Sequence, residues 1–219
     1  MDLTIIFTNW KRKNNLKKII DNTKKQTLKP KIVVIDNSSS DSVNKFETED
    51  SEILIIKKEN SLMCWDRWLF AKNVETKYVC IMDDDLTFSR NDVLEDCLNY
   101  MNSNNNVDCI GLEGVKLIKS KGYFASNHQF AKSNHIIQVS VVKGRFMFLK
   151  TECLKHLDMT PDLTCDDIKV SSYLQNKILP SILWNSFEDL PQGIESLSGK
   201  KYQKLKREYA TKKYFGDKV

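Results

Sequence analysis

Glycine is missing from the first half of this chain. Seven glycines occur in 219 residues, and none precedes Gly111. That excludes a G-x-G-x-x-G turn or a G-x-x-x-x-G-K-[ST] phosphate cradle after the first strand. The six cysteines (Cys64, Cys80, Cys97, Cys109, Cys153, Cys165) form no C-x-x-C pair. Neither a zinc cluster nor a disulfide framework is indicated, and reduced thiols are expected. The longest apolar runs, such as Leu54–Ile56 and Val79–Met82, are strand-sized, well short of the ~20 residues a membrane-spanning helix needs. Met1–Phe7 has no basic start, and Lys11-Arg12-Lys13 follows it closely. The expectation is a protein made without export, cytoplasmic.

What is present suffices for a core. Hydrophobic residues make up 41% and charged residues 29%, with ten Phe and four Trp, so the chain is too apolar to be disordered and is sized for one domain. The net charge of +5 is unevenly placed. From Gly199 onward eight basic residues face Glu208 and Asp217, so the tail alone carries +6 and the remaining 198 residues about −1. A nucleic-acid footprint should be basic over a folded face, so no nucleic-acid partner is expected.

Hydrophobic patterning predicts strands at Leu3–Thr8, Lys31–Asp36, Glu52–Lys57 and Tyr78–Met82, alternating with helices at Asn14–Gln26, after Asp36-Asn37-Ser38-Ser39-Ser40-Asp41, and at Ser61–Lys72. Such alternation implies parallel βαβ units, with helices on both faces of an α/β sheet. Further on, helices are expected at Asn91–Met101, Asp166–Gln175 and Lys200–Lys213, and strands at Val107–Leu112, Ile136–Val142, Gly144–Leu149 and Ser181–Trp184. We read one domain over 1–198, with a nucleotide-binding half (1–105) and an acceptor half (106–198), followed by a basic helical tail (199–219).

Ligands of open parallel sheets bind beyond the carboxyl ends of the strands. Those ends carry Thr8-Asn9, Asp36-Asn37 and Asp83-Asp84-Asp85. Without a glycine cradle, a divalent cation held by carboxylates is the natural partner for a nucleotide's phosphates. Asp83 and Asp85 face one way if the strand period persists, and Asp84 the other. Oxygen ligands of this kind suit Mg²⁺ or Mn²⁺. The same triplet also fits a solvated acidic turn or a helix cap.

The run Thr4-Ile5-Ile6-Phe7-Thr8-Asn9-Trp10, then Gln26-Thr27, then Ile32–Asp41 resembles the opening of family 2 glycosyltransferases, and Tyr78–Leu86 is similar to their DxD strand. Cys165-Asp166-Asp167-Ile168 resembles the family's later acidic pair, and Leu190-Pro191 through Phe215 the closing region of small members. The resemblance implies a GT-A fold and metal-dependent transfer of a sugar from a nucleoside diphosphate. It places Asp36 on the imide N–H of uracil or thymine, with Thr8 and Asn9 nearby. Asp83 would stand at the ribose and donor sugar, Asp84 would count among the nucleotide-binding residues, and Asp85, with Asp83, would stand at the metal. Arg67 would contact the nucleotide, and Gly144, beside Arg145, would line the sugar pocket, although a structural arginine and a plain bulge explain those two equally well.

Asp167 would be the general base of an inverting reaction, with Asp166 as the other candidate. Thr164 with Asp167 also fits a capping box, so one aspartate can cap while the other reacts. His128, His135 and His156 have no metal-ligand spacing. Lys200 or Lys201 could close on the diphosphate. The tail helix, with Tyr202, Leu205 and Tyr209 on one side, could pack on the domain or rest at an anionic membrane as a peripheral contact. The expected donor is a UDP-sugar, and the acceptor a glycan, glycolipid or glycoprotein. The alternatives are a sugar-phosphate nucleotidyltransferase, disfavoured because Lys11-Arg12-Lys13 holds no glycine, and a non-catalytic nucleotide- or carbohydrate-binding module.

Overall fold

Strand β1 (Leu3–Asn9) is buried along its whole length, as a strand covered on both faces must be. The computed structural model describes residues 2–38, 53–59, 62–119, 121–162, 165–192 and 201–216. β1 pairs in parallel with β2 (Lys31–Asp36) on one side and β4 (Tyr78–Asp83) on the other, and β3 (Ile53–Lys57) extends the sheet beyond β2. Helix α1 (Lys13–Lys24) covers this half with Leu16, Ile19 and Ile20, at the spacing of one helix face. Between β3 and β4 a 3₁₀ turn (Met63–Trp65) leads into α2 (Asp66–Ala71), and Trp65 and Trp68 are fully buried. The helix expected after Asp36, together with Ser39, Ser40 and Asp41, lies outside the described residues.

The second half extends the same sheet. β5 (Leu86–Phe88) and α3 (Val93–Ser103) follow the acidic triplet, and β6 (Cys109–Gly111), β11 (Phe146–Lys150) and β12 (Lys177–Leu179) join the main sheet. With β9 (Ile137–Gln138) at its edge, its order among the described residues is β3-β2-β1-β4-β11-β6-β12-β9, and β11 is antiparallel to both neighbours. A smaller sheet joins β7 (Glu113–Lys116), β8 (Asn127–Phe130) and β10 (Val141–Val142). Helix α4 (Asp166–Tyr173) packs against β10 and against α5 (Lys201–Phe215).

Two expectations need correction. Ile136–Val142 is not one strand: β9 (Ile137–Gln138) pairs with β12, and β10 pairs with β7 in the other sheet. The chain changes sheets at Val139-Ser140, where Val139 N–H donates to Lys177 and Ser140 N–H to Val115. Gly114 permits the crossing, since a Cβ there would meet the Val141 carbonyl at 2.7 Å. Ser181–Trp184 is likewise no strand. β12 ends at Leu179, and Pro180, which has no N–H to continue a ladder, starts a 3₁₀ turn over Ser181–Leu183. Two pairings join strands that the sequence reading did not contain: β7 with β8, and β13 (Phe187–Asp189) with β5. Phe187 stacks on Phe146 and Phe88 with ring centroids 4.6 and 5.5 Å apart, and Leu190 N–H donates to the Asp85 carbonyl at 2.8 Å, which fixes the backbone of the acidic triplet.

Candidate active site

Strand register assembles the rim. Asn9 lies opposite Asp36 and Thr8 opposite Asp83, while Asp83 N–H donates to the Arg145 carbonyl. Three strands and the β10–β11 connection therefore meet at one edge. Asp36 is buried, and its Oδ1 accepts from Asn9 Nδ2 (2.8 Å), Ser38 N (3.1 Å) and Ser38 Oγ (2.5 Å). Asn9 thus braces the Asp36 carboxylate. Asp84 is a second brace: it accepts from Trp10 N at 2.7 Å and from Arg12, and its carbonyl accepts from Asn15 at 2.9 Å. It ties the β1–α1 turn to β4, and burial pushes its carboxyl up to about 6 against those donors.

Asp83 stands at the mouth, partly exposed, and accepts from Arg67 Nη1 at 2.6 Å. Burial pushes its carboxyl up to about 7; Arg67 opposes this and the charge of Asp85 adds to it. Asp85 lies deeper. Its Oδ1 is buried without a hydrogen-bond partner, with Arg145 Nε at 3.5 Å and Arg12 Nη1 3.6 Å from Oδ2. Those contacts are within ion-pair range but too long for good hydrogen bonds. Thr8 Oγ1 and Asn37 Oδ1 are likewise buried without partners among the described residues. Buried polar atoms are normally satisfied, so a row of such atoms along one rim fits a polar ligand.

The donor set also fits a divalent cation. Asp83 and Asp85 offer hard oxygens, one of them unclaimed, and crowded like charges favour a positive partner. Among the described residues no three His, Cys, Asp or Glu side chains converge as a cluster, so a cation here would complete its shell with phosphate oxygens and water.

The later acidic pair divides. Asp166 Oδ2 is buried and accepts from Arg67 Nε (2.9 Å), Arg67 Nη2 (2.7 Å) and Trp68 Nε1 (2.6 Å). It anchors the arginine. Asp167 Oδ2 meets Arg207 Nη2 at 2.7 Å and Gly144 N at 3.4 Å, and Oδ1 accepts from Ile168 N at 2.9 Å. Burial alone would raise its carboxyl; the Arg207 guanidinium, with Arg67 behind it, holds it below the usual carboxylate range. Thr164 of the expected capping box lies outside the described residues, and Cys165 is the residue before the helix. Gly144 packs against Arg67: a Cβ would stand 2.4 Å from Nη2, and its carbonyl accepts from Nη1 at 3.3 Å.

A cleft of about 500 Å³ joins these groups. Arg67, Asp83, Gly144, Asp166 and Asp167 line it together with Tyr123, Phe124 and Phe130, and with Lys204 and Arg207 of α5. The sequence reading missed Arg207, which also donates to Tyr123 Oη at 2.6 Å, and Glu113, which binds Arg145 at 2.6 Å and Lys143 at 3.0 Å. A signal for the first existed: Arg207 is the lone arginine in a lysine-rich tail, and arginine is the residue suited to buried carboxylate pairs. Lys201 is exposed on α5, and Lys200 lies outside the described residues.

Structural and ligand-directed carboxylates should separate in thermal unfolding. Asp166→Asn leaves a buried guanidinium short of its partner and should cost about 3 kcal/mol. Asp85→Asn removes no hydrogen bond and relieves like-charge crowding, so its melting temperature should equal or exceed that of the parent. Equal losses in both would contradict this division.

A family model for glycosyl transferase family 2 matches residues 4–150. No curated protein matches the chain. Among solved structures, the mannosyltransferase PcManGT of Pyrobaculum calidifontis, in complex with GDP-Man and Mn²⁺, is 18% identical with a TM-score of 0.60, over 82% of this chain and 54% of its own. TarS of S. aureus (1–349), in complex with UDP-GlcNAc, is 14% identical with a TM-score of 0.65, over 91% of this chain and 61% of its own. The chain therefore spans little more than half the length of these structures. The parallel β3-β2-β1-β4 half, the acidic rim and the family match agree: the chain belongs to glycosyl transferase family 2 and has the GT-A fold.

Proposed function

We propose that this protein is a metal-dependent glycosyltransferase that moves a sugar from a nucleoside diphosphate, a UDP-sugar, to a hydroxyl of a glycan, glycolipid or glycoprotein, with inversion. One observation carries the proposal: a single cleft connects Asp83, beside the unpartnered Asp85 Oδ1, to the ionised Asp167. PcManGT and TarS were each captured with a nucleotide sugar, and PcManGT with Mn²⁺, which supports a donor and a cation of this kind.

Placement supports each role. Asp36, oriented by Asn9 and Ser38, presents a pure acceptor, which matches an imide N–H. Thr8 Oγ1 and Asn37 Oδ1, each next in sequence to Asn9 or Asp36, are buried polar atoms without a partner among the described residues. Asp83 and Asp85 would hold Mn²⁺ or Mg²⁺, whose charge offsets the negative charge growing on the departing diphosphate. Arg67 fixes Asp83 and keeps the sugar side of the cleft in place. The acceptor oxygen attacks the anomeric carbon as the bond to the diphosphate oxygen breaks, and its proton passes to Asp167. Arg207 keeps that carboxylate ionised and oriented. The cationic turn Lys11-Arg12-Lys13 is committed in part to Asp84 through Arg12, which disfavours a nucleotidyltransferase.

Release of UDP from a panel of UDP-sugars with Mn²⁺ tests the assignment, since a binding module without turnover releases none. Asp85→Asn should weaken Mn²⁺-dependent donor binding in calorimetry, and unchanged affinity would remove Asp85 from the site. Asp167→Asn should retain donor binding but lose transfer by about 10²-fold or more.

Arg207→Gln supplies the pH test. With the guanidinium gone, burial dominates and the Asp167 carboxyl rises. The acid limb of the transfer rate should then move to higher pH. An unmoved limb would show that Asp167 does not take the proton.

A further inference from the structure

Helix α5 has two working faces. Its inner face carries the buried Ala210 and Thr211 together with Arg207, which reaches Asp167 in the cleft. Its outer face carries three exposed apolar side chains: Tyr202 (45% exposed), Leu205 (67%) and Tyr209 (70%). At 3.6 residues per turn these three fall on one stripe, with Lys201 and Lys212 along one border and Lys206 and Lys213 along the other. All seven lie within an arc of roughly 140°. The four lysines are exposed. The helix's acidic residue, Glu208, is turned inward, where it accepts from the backbone N–H groups of Tyr123 (2.7 Å) and Phe124 (3.0 Å).

We propose that this outer face docks on an anionic lipid surface. An apolar stripe bordered on both sides by lysines is the pattern of a helix lying in a membrane interface. The apolar side chains enter the headgroup boundary while the ammonium groups extend along their stems to lipid phosphates. Tyrosine suits that boundary, having an apolar ring and a polar tip. Pairing of the stripe with a second copy of the chain would bring eight lysines together, so self-association does not fit the charge. A purely polyanionic ligand would leave Leu205 and both rings unused.

The inference also deepens the proposed transfer, on which this step rests. Gln203, Lys204 and Arg207 line the cleft from the same helix, so cleft and bilayer would be one helix thickness apart, about 10 Å. An acceptor hydroxyl carried on a lipid headgroup is within reach at that distance.

Sedimentation of the full chain with vesicles, without nucleotide or metal, tests the docking. Vesicles of phosphatidylcholine with about 30% phosphatidylglycerol should carry the protein down at low salt and release it at high salt, whereas phosphatidylcholine alone should not bind it. The ridge variant Tyr202→Ser/Leu205→Ser/Tyr209→Ser and the charge variant Lys206→Glu/Lys213→Glu should each bind at least about tenfold more weakly. Both should release UDP from the donor at the parent rate, because neither touches the cleft. No sedimentation of the parent with anionic vesicles would overturn the proposal, as would full binding by the ridge variant, which would leave only a non-specific cationic patch. Lost UDP release with intact vesicle binding would count against the transferase assignment alone.

Discussion

The guanidinium of Arg67 is buried between the two halves of the molecule, and the site depends on how its charge is met. α2 presents it next to fully buried Trp65 and Trp68. Two of its nitrogens engage Asp166 at the start of α4, and the third engages Asp83 at the end of β4 and the Gly144 carbonyl. A buried cation is tolerable only when paired and hydrogen-bonded on all sides. The pairing therefore ties the acidic rim to the helix that carries Asp167. It also accounts for glycine at 144, where any side chain would displace the guanidinium.

The same logic recurs around the rim. Asp84 faces Arg12, Asp167 faces Arg207, and Asp85 lies between Arg12 and Arg145. Four of the chain's five arginines stand at this site, whereas of its 29 lysines only Lys143 and Lys204 line the cleft among the described residues. The guanidinium is planar, always charged and weakly hydrated, and so can be buried against carboxylates at lower cost than an ammonium. Most carboxylates here are thereby neutralised within the protein. Asp85 Oδ1 is the exception, a buried acceptor without a hydrogen-bond partner among the described residues; Arg145 Nε stands 3.5 Å from it, and Arg12 approaches the other oxygen at 3.6 Å. That contrast sets it apart from the structural carboxylates better than its position in the triplet does.

Much of the architecture was legible because its cause is local. β2 is a β-branched run ending in Asp36, and its bounds in the structure are those the sequence implies. The convergence of strand ends at Thr8, Asp36 and Asp83 follows from parallel order alone. Features set by distant partners were not legible. Ile136–Val142 reads as one strand because nothing within it shows that Lys177 and Val115 claim successive N–H groups in two different sheets. The β5–β13 pair joins three-residue strands about 100 positions apart, too short for a period to show. The later acidic pair was located but not resolved into roles, because the roles depend on which arginine each aspartate meets. Arg67 and Arg207 arrive from opposite ends of the chain.

α5 illustrates how charge type, rather than charge number, organises this fold. As a run of residues its tail is simply basic, and a count of +6 does not say which way any cation points. The side-chain chemistry does. The one arginine turns inward, where a fixed fork pays for burial by binding Asp167 and Tyr123 together. Glu208 turns inward as well and caps two backbone N–H groups of the aromatic wall. What remains outward is lysine, whose ammonium groups are strongly hydrated, and the Tyr202–Leu205–Tyr209 stripe, whose apolar area water does not satisfy. One helix thus carries both the guanidinium that draws the Asp167 carboxyl down and an exposed apolar stripe on its other side.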